Sequence, residues 1–263
     1  MPPHLFLVVP VYNEEANVPR LLASIEAQAA GLRRAGGADL EVVFVDDGSD
    51  DGTYAAIQAW SGSFPACAVR HHINQGPGRA FQSAFSHLSE RLTESDLVIS
   101  MEGDNTSALP TAEGMLVRLQ EGYDAVLASP YAYGGGFSNT SLLRMFLSHG
   151  ANSLLKGAVG IHGIHTMSSF FRLYRGSLLL RLQQSFGPGI VECSGFECMV
   201  ELLVKMMLLG ARISEVEMLL DSSLRTGPSK MKIGRTIRGY LSILRLQRRW
   251  SRRTGTRLWR YSD

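Results

Sequence analysis

Short apolar runs alternate with stretches of helical periodicity over residues 5–127, and this alternation is the strongest constraint on the fold. Strands buried on both faces of a sheet read as continuous apolar runs, and two parallel strands need a crossover that is usually a helix. The pattern therefore predicts an α/β fold, with a mostly parallel sheet flanked by helices. The predicted strands are residues 5–10, 40–46, 66–71, 97–101 and 125–129, and the predicted helices are 15–35, 51–61, 77–91 and 110–121. Beyond these we expect a helix over 139–156, a strand over 169–174, a helix over 195–209 and a strand over 212–217.

The composition fits one folded domain with a basic tail. With 45% hydrophobic and 19% charged residues among 263, the chain can build a core and lacks the bias of fibrous or disordered proteins. Residues 225–263 hold 12 of the 26 Lys and Arg residues and one acid, so the tail is strongly basic and the body mildly acidic. We predict one domain over residues 1–234 and a basic amphipathic tail over 235–263.

The lack of a recognisable targeting signal and the cysteine usage both predict a cytoplasmic protein. No apolar run approaches the roughly 20 residues that span a bilayer. The N-terminus also lacks the basic region that opens a signal peptide. Cys67, Cys193 and Cys198 are an odd number without metal-ligand spacing, which favours reduced thiols.

Two adjacent carboxylates follow the second predicted strand, in the segment VDDGSDDGT at 45–53. Capping of the next helix explains Ser49 and Asp50. It does not explain Asp46 and Asp47, because neighbouring carboxylates repel each other unless something binds there. Ligands of open α/β sheets bind beyond the carboxyl ends of the strands, so we interpret Asp47 as a binding residue.

A second acidic pair follows the fourth predicted strand, in MEGDNTS at 101–107. Glu102 and Asp104 are two residues apart in an extended segment, so both carboxylates can reach one divalent cation. Mg²⁺ and Mn²⁺ take one or two carboxylates together with phosphate oxygens. A plain acidic turn is the alternative, but two acidic strand ends side by side favour a cation.

Two loops have the composition of phosphate-binding segments. Gly76 and Gly78 open a predicted helix, a geometry that suits phosphate but is equally typical of a simple turn. In the second half, Arg225, Ser229 and Lys230 surround a Gly-Pro turn and offer a guanidinium, a hydroxyl and an ammonium group for phosphates.

Taken together, the motifs resemble the family-2 glycosyltransferases of GT-A fold. More narrowly they resemble dolichol-phosphate mannose synthases and bacterial polyprenyl-phosphate glycosyltransferases, over roughly residues 5–241. The motifs, in order, are VVPVYNEEANV at 8–18, VDDGSDDGT, the glycine-rich loop, Glu102-Gly103-Asp104, Ser169 to Arg172, the helical Glu201 and RTGPSKM at 225–231. The resemblance implies the GT-A fold, a Rossmann-like sheet that binds nucleotide-diphospho-sugars.

The resemblance also implies roles for individual residues. The donor's base and ribose would be held by Pro10, Tyr12, Glu14 and Asp47 with Asp46 in support, and Gly76 and Gly78 would lie near its phosphates. Glu102 and Asp104 would hold Mg²⁺ or Mn²⁺ on the diphosphate. Arg225, Ser229 and Lys230 would contact the donor or acceptor phosphates, and Arg144 would lie near the lipid phosphate of the acceptor. Pro130 and His165 stand where relatives carry an arginine and an aspartate on the acceptor side.

The acceptor class remains open at this level. A polyprenyl or dolichyl phosphate is already ionised at neutral pH and needs no general base, whereas a hydroxyl acceptor in polysaccharide synthesis does. Glu197 is the candidate base, with a helix-start acid as an equally good interpretation. A nucleotide-sugar-binding protein without transferase activity is the further alternative. The acidic body contains no nucleic-acid-binding module, so we expect no nucleic-acid partner.

The tail interleaves leucine and isoleucine with arginine at helical spacing, and Trp250 and Trp259 lie at positions that suit a membrane interface. We expect a helix on an anionic membrane surface at the cytoplasmic face, where it would meet a lipid-linked acceptor. Docking of Tyr240, Leu241 and Leu244 on the domain core is the alternative. In that case a separate membrane subunit, and not the tail helix, would hold the protein at the membrane.

Overall fold

The structure is a computed structural model that describes residues 3–139, 156–157, 159–224, 233–256 and 258. Strands and helices alternate through the first half of the chain, as the apolar pattern predicts. The elements of this half are β1 (His4–Val11), α1 (Val18–Gly36), β2 (Asp39–Asp46), α2 (Thr53–Gln58), β3 (Ala66–Arg70), α3 (Pro77–Ser89), β4 (Leu97–Ser100), α4 (Thr111–Gln120) and β5 (Ala125–Ser129). The elements that follow are β6 (Gly136–Ser138), β7 (Arg172–Arg175), α5 (Gly176–Phe186), α6 (Cys198–Leu208), β8 (Ile213–Glu217), β9 (Leu219–Asp221), a 3₁₀ turn (Ser222–Leu224) and α7 (Ile233–Thr254).

A seven-stranded sheet forms the centre of the fold, in the order β3-β2-β1-β4-β7-β5-β8. All neighbouring pairs are parallel except those of β7, which runs antiparallel to both β4 and β5. The short strands β6 and β9 form a separate parallel pair. The predicted α/β fold with a mostly parallel sheet is therefore confirmed.

Helices cover both faces of this sheet and enclose two apolar layers. Strands contribute alternate side chains to the two layers, as the pleat requires. On one face α1, α2 and α4 pack over side chains such as Leu7 and Phe44. On the other face α3, α5, α6 and α7 pack over side chains such as Val8 and Tyr174. The second layer is the larger because it includes the C-terminal helix.

Several predicted boundaries were wrong, each for a local reason. The first helix begins at Val18 rather than residue 15, because residues 15–17 form a turn and the helix starts directly after it, with Pro19 in its first turn. The strand predicted from residue 169 begins only at Arg172. The buried guanidinium of Arg172 donates hydrogen bonds to the carbonyls of Ser169, Met167 and Met199. The sequence analysis missed α5, β6 and β9. Most of the helix predicted over 139–156 lies outside the described residues.

The C-terminal helix α7 is docked on the domain. Ile243 and Trp250 are 0% and 1% exposed, and α7 packs along α6. The indole N–H of Trp250 donates to Glu192 over 2.8 Å. The prediction that Trp250 lies at a membrane interface was therefore wrong, since the residue belongs to the core. Leu241, by contrast, is 59% exposed on the opposite side of the helix. In the part of the chain that the structure describes, every helix is too short or too polar to cross a membrane.

Candidate active site

The loops that follow β1, β2 and β4 meet at the carboxyl edge of the sheet. Val11 is in register with Asp46, so β1 and β2 end together, and β4 ends at the same edge with Ser100 opposite Val8. The backbone N–H of Asn13 donates to Ser49 Oγ at 2.9 Å and joins the first two loops. The loop after β4 reaches back to the start of α1, where Asn105 Nδ2 donates to a carbonyl. The sheet thus gathers the predicted site segments as expected.

Asn13 and Asn105 both adopt left-handed backbone conformations, with φ of 50° and 63°. Asparagine tolerates this region better than most residues, and its amide can bond locally. Asn13 turns its loop two residues after β1, and Asn105 turns its loop five residues after β4. Asn13 Oδ1 also accepts from Asp50 N–H, so the first turn lies against the acidic loop after β2.

Asp47 is buried and holds the glycine-rich loop through both carboxylate oxygens. Oδ1 accepts from Gln75 N–H at 2.9 Å, and Oδ2 accepts from Gly76 N–H at 2.8 Å. His71 Nδ1 lies 2.7 Å from Oδ1. Three polar groups therefore fix this carboxylate and account for its burial, and its contact with a donor stays a prediction.

Asp46 is fully buried and supports the loop that follows β2. Its Oδ1 accepts from Ser49 N–H at 2.9 Å and so shapes the loop after β2. Its Oδ2 faces the half-exposed Arg70 guanidinium at 3.2 Å, and it receives no hydrogen bond from the described residues. The two adjacent carboxylates thus have different partners, and their repulsion is offset on both sides.

Glycine is required at positions 76 and 78 by close packing. A Cβ on Gly76 would overlap the carbonyl of Ser194, and one on Gly78 would overlap the carbonyl of Cys193. Gly76 also has φ +95°, a conformation that side chains disfavour. These contacts account for both glycines without a phosphate, so their predicted role in donor binding stays a prediction.

Glu102 and Asp104 lie close together, and nearby hydroxyl groups hold each of them. Ser107 donates to the Glu102 carboxylate, and Thr106 donates to Asp104 Oδ1 through both its amide and its hydroxyl. Burial raises the pKa of Glu102, and the neighbouring charge of Asp104 raises this pKa further. A divalent cation between the two carboxylates would remove that penalty, so the residues fit the predicted metal.

The metal would still need ligands from elsewhere. Among the described residues no cluster of three or more His, Cys, Asp or Glu side chains is placed to hold a metal ion. Two carboxylates leave most positions of an octahedral Mg²⁺ or Mn²⁺ open for phosphate oxygens and water.

The residues predicted to hold the base and ribose lie at the end of β1. Pro10 is partly exposed within the strand, and Tyr12 is partly exposed in the turn that follows. Glu14 is buried, and its carboxylate accepts from Asn17 Nδ2 at 2.5 Å. The structure therefore brings all three beside the acidic loops. Their contact with a donor stays a prediction.

Glu197 immediately precedes α6, as predicted, and α7 covers it. Its Oε1 accepts from Gly195 N–H at 3.2 Å, and the residue is 9% exposed. A Cβ on Gly239 of α7 would overlap the same carboxylate, so the two helices meet there directly. Arg144, Arg225, Ser229 and Lys230 lie outside the described residues.

The sequence analysis missed His71, which joins Asp47 to α3. Its second ring nitrogen lies 2.8 Å from Ser83 Oγ, so both nitrogens are engaged. The histidine therefore links the loop after β2 to α3. The contact follows from the register of β2 and β3, which pairs Asp46 with Arg70 and places the next two residues side by side, and the sequence alone does not give this register.

A mostly parallel sheet with acidic loops at its carboxyl edge defines the class of GT-A nucleotide-sugar transferase folds. The fold matches glucosyl-3-phosphoglycerate synthase of Mycobacterium tuberculosis with a TM-score of 0.61 at 16% identity, over 97% of this chain and 80% of that one. It matches mannosyl-3-phosphoglycerate synthase of Rubrobacter xylanophilus equally well, at 20% identity over 99% and 77%. More specifically, the chain belongs to glycosyl transferase family 2, whose pattern matches residues 6–182.

Relatives that are named for a specific transferase activity are also similar to this chain in sequence. The chain is 27% identical to a dolichol-phosphate mannosyltransferase of Pyrococcus furiosus, over 93% of this chain and 63% of the relative. It is 26% identical to a polyprenol monophosphomannose synthase of Mycolicibacterium smegmatis, over 80% and 74%. It is 32% identical to an undecaprenyl-phosphate 4-deoxy-4-formamido-L-arabinose transferase of Pseudomonas paraeruginosa, over 66% and 47%. The chain therefore spans about half to three quarters of the length of these relatives.

Proposed function

We propose that this protein is an inverting, metal-dependent glycosyltransferase that moves a sugar from a nucleotide-diphosphate sugar to a polyprenyl or dolichyl phosphate. The observation that carries the proposal is the pair of Glu102 and Asp104, two adjoining carboxylates at the sheet edge where a GT-A domain binds its donor. The acceptor class is supported by the three relatives, each named for a polyprenyl phosphate. GDP-mannose and UDP-sugars are the donors to test.

In this proposal Glu102 and Asp104 hold Mg²⁺ or Mn²⁺, which supplies positive charge to the leaving diphosphate. The chain's own residues bind and orient the substrate. Asp47 and His71 fix the glycine-rich loop, while Pro10, Tyr12 and Glu14 line the end of β1 where the base would stack. A cation held there would offset the negative charge of both the acidic corner and the donor's diphosphate.

The transfer exchanges one bond for another. An oxygen of the acceptor phosphate attacks the anomeric carbon from the face opposite the leaving group and forms the new glycosidic bond. The bond from the anomeric carbon to the diphosphate oxygen breaks, and the nucleoside diphosphate leaves with that electron pair. Because the attacking oxygen is already ionised, no proton has to be removed.

The position of Glu197 favours the phosphate acceptor over a hydroxyl acceptor. A general base must lie within hydrogen-bond reach of the proton that it removes. Here the carboxylate is buried between Gly195 and Gly239, so α7 occupies the space in front of it. An acceptor hydroxyl would reach this oxygen only after α7 moved.

We further propose that α7 contacts an anionic membrane through its outer face. Arg238, Leu241, Arg245, Arg248 and Arg252 are all exposed, and their spacing of three and four residues forms one continuous stripe. This stripe lies opposite Ile243 and Trp250, which are buried. With the apolar face committed to the core, charge would carry most of the attraction, at about 1 kcal/mol for each arginine near anionic lipid.

A donor panel tests the transferase proposal. GDP-mannose, UDP-glucose and related donors are incubated with Mg²⁺ or Mn²⁺ and either polyprenyl phosphate or a sugar-hydroxyl acceptor. Transfer to polyprenyl phosphate that chelation abolishes is the expected result. Transfer to the hydroxyl acceptor alone would overturn the acceptor assignment. Donor binding without transfer to either would indicate a nucleotide-sugar-binding protein.

Vesicle sedimentation tests the membrane surface. Binding to vesicles should rise with anionic lipid and fall with salt. Charge reversal in the stripe (Arg248→Glu with Arg252→Glu) should abolish it. The matched control reverses two exposed arginines elsewhere, Arg34 and Arg181. Equal binding by the two double variants, or no binding by the native chain at low salt, would refute the stripe and favour a separate membrane subunit.

A further inference from the structure

A short segment between α5 and α6, residues 190–195, lies directly under the glycine-rich loop, and we call it the strap. The N–H of Gly78 donates to the carbonyl of Ser194 at 2.9 Å. The carbonyls of Cys193 and Ser194 occupy the space that a Cβ at Gly78 or Gly76 would need. The loop that holds Asp47 therefore rests on the strap backbone, and any shift of the strap must shift the loop.

Glu201 of α6 fixes the strap from below. The carboxylate is fully buried and accepts from the backbone N–H of Glu192 at 2.7 Å and of Cys193 at 2.8 Å. A carboxylate that receives two backbone hydrogen bonds fixes both the position and the direction of that backbone. The same peptide run presents its carbonyls to Gly76 and Gly78 on the other side.

Lys205 completes the support. Its ammonium group is buried, donates to Glu201 at 2.6 Å, and donates to the carbonyl of Ile190 at 2.6 Å. Ile190 has φ +51°, a strained conformation for a β-branched residue, so this hydrogen bond holds the first residue of the strap against its own preference. Burial lowers the pKa of Lys205, and the charge of Glu201 opposes this shift.

We infer that Glu201 is a positioning residue for donor binding, acting through the strap and the glycine-rich loop on Asp47. The inference rests on the proposed function in one respect only, that Asp47 belongs to the donor site. The described contacts run without a gap from Lys205 to Glu201, to the strap backbone, to Gly76 and Gly78, and then to Asp47. The role is separate from the chemistry, because Glu201 has no exposed atom with which to touch a substrate.

The test compares Glu201→Gln with a matched control, Asp96→Asn. Asp96 is also a buried carboxylate that accepts two backbone N–H groups, from His4 and Thr93, at the opposite end of the sheet. Hydrogen exchange of peptides that cover residues 74–79 is measured on the full chain without substrate. We expect the Glu201 variant to exchange there about tenfold faster, and the Asp96 variant to match the native chain.

Kinetics provide the second measurement. Loss of positioning should raise the donor KM about tenfold or more and leave kcat within about threefold, because the loop binds donor equally in the ground and transition states. A fall in kcat with unchanged donor KM would overturn the inference. So would equal loop exchange in the native chain and the Glu201 variant.

Two further variants keep the test decisive if Glu201→Gln does not fold. The double change Glu201→Gln with Lys205→Met also removes the buried ammonium group, which the single change leaves with Glu192 as its remaining ionic partner. Gly78→Ala breaks the contact of loop and strap from the loop side and should give the same rise in donor KM. A normal donor KM in folded Gly78→Ala would refute the coupling. If the native chain turns over no donor, the proposed function fails, while the exchange experiment still decides the positioning role.

Discussion

Replacement of Asp47 with alanine should weaken donor binding by about two orders of magnitude and leave the chemical step nearly intact. The carboxylate holds Gln75 and Gly76 through two backbone hydrogen bonds and pairs with His71. Hydrogen bonds to charged groups contribute about 1.5–3 kcal/mol each, and Gln75 is exposed enough for water to replace part of its bond. Taking the lower value for each backbone bond gives about 3 kcal/mol for holding the loop. If the donor binds only the ordered loop, this energy becomes a loss of roughly 10²-fold in apparent affinity.

The assay measures donor KM and kcat at saturating acceptor, together with the Kd of the nucleoside diphosphate by calorimetry. His71→Ala is the graded control, because it removes one partner of Asp47 and leaves both backbone bonds in place. Its effect on KM should stay within about tenfold. A variant of Asp47 that keeps its donor KM and loses kcat would place this residue at the reacting centre and refute the reasoning.

The remaining predictions concern the metal, the acceptor and the C-terminal helix. Asp104→Ala should abolish transfer and leave the melting temperature within a few degrees, because the residue lies in a loop; substantial activity at saturating donor and metal would contradict the metal assignment. Glu197→Gln should keep activity within about tenfold, whereas loss of a general base costs about 10²–10⁴ in kcat; a thousandfold loss in folded protein would indicate a hydroxyl acceptor. Trp250→Ala should destabilise the protein by about 3–5 kcal/mol in denaturant titration without lipid, and unchanged stability would place this indole outside the core.

The fold could be predicted well where the strands are buried and parallel. The apolar runs of β1, β2 and β5 stand out because both faces of each strand are covered, and their bounds agree with the structure to within two residues. The direction of β7 could not be read, since a four-residue strand has the same pattern either way. Helix α5 did leave a signal, in the spacing of Leu178, Leu182 and Phe186 on one face.

From the sequence, we could predict which loops form the site but not which contacts their side chains make. Strand ends identify Asp47, Glu102 and Asp104 because neighbouring acids repel each other unless something binds there. Which partner they take depends on contacts between distant segments, as with His71, which meets Asp47 through the register of β2 and β3. Glu201 was noticed only as part of a resemblance. Its role depends on the strap backbone, which no sequence pattern describes.

The position of β7 between β4 and β5 has a consequence for synthesis on the ribosome. Strand β4 ends at Ser100, and the strand that pairs with its free edge begins only at Arg172. At about 5–20 residues per second, the roughly 70 intervening residues keep this edge unpaired for some 4–14 s. During that interval β1 to β4 form a half-sheet with an open edge of Leu97, Val98 and Ile99, a template to which another nascent chain can add. Yield in the cell should therefore depend on elongation speed and on chaperones that cover this edge.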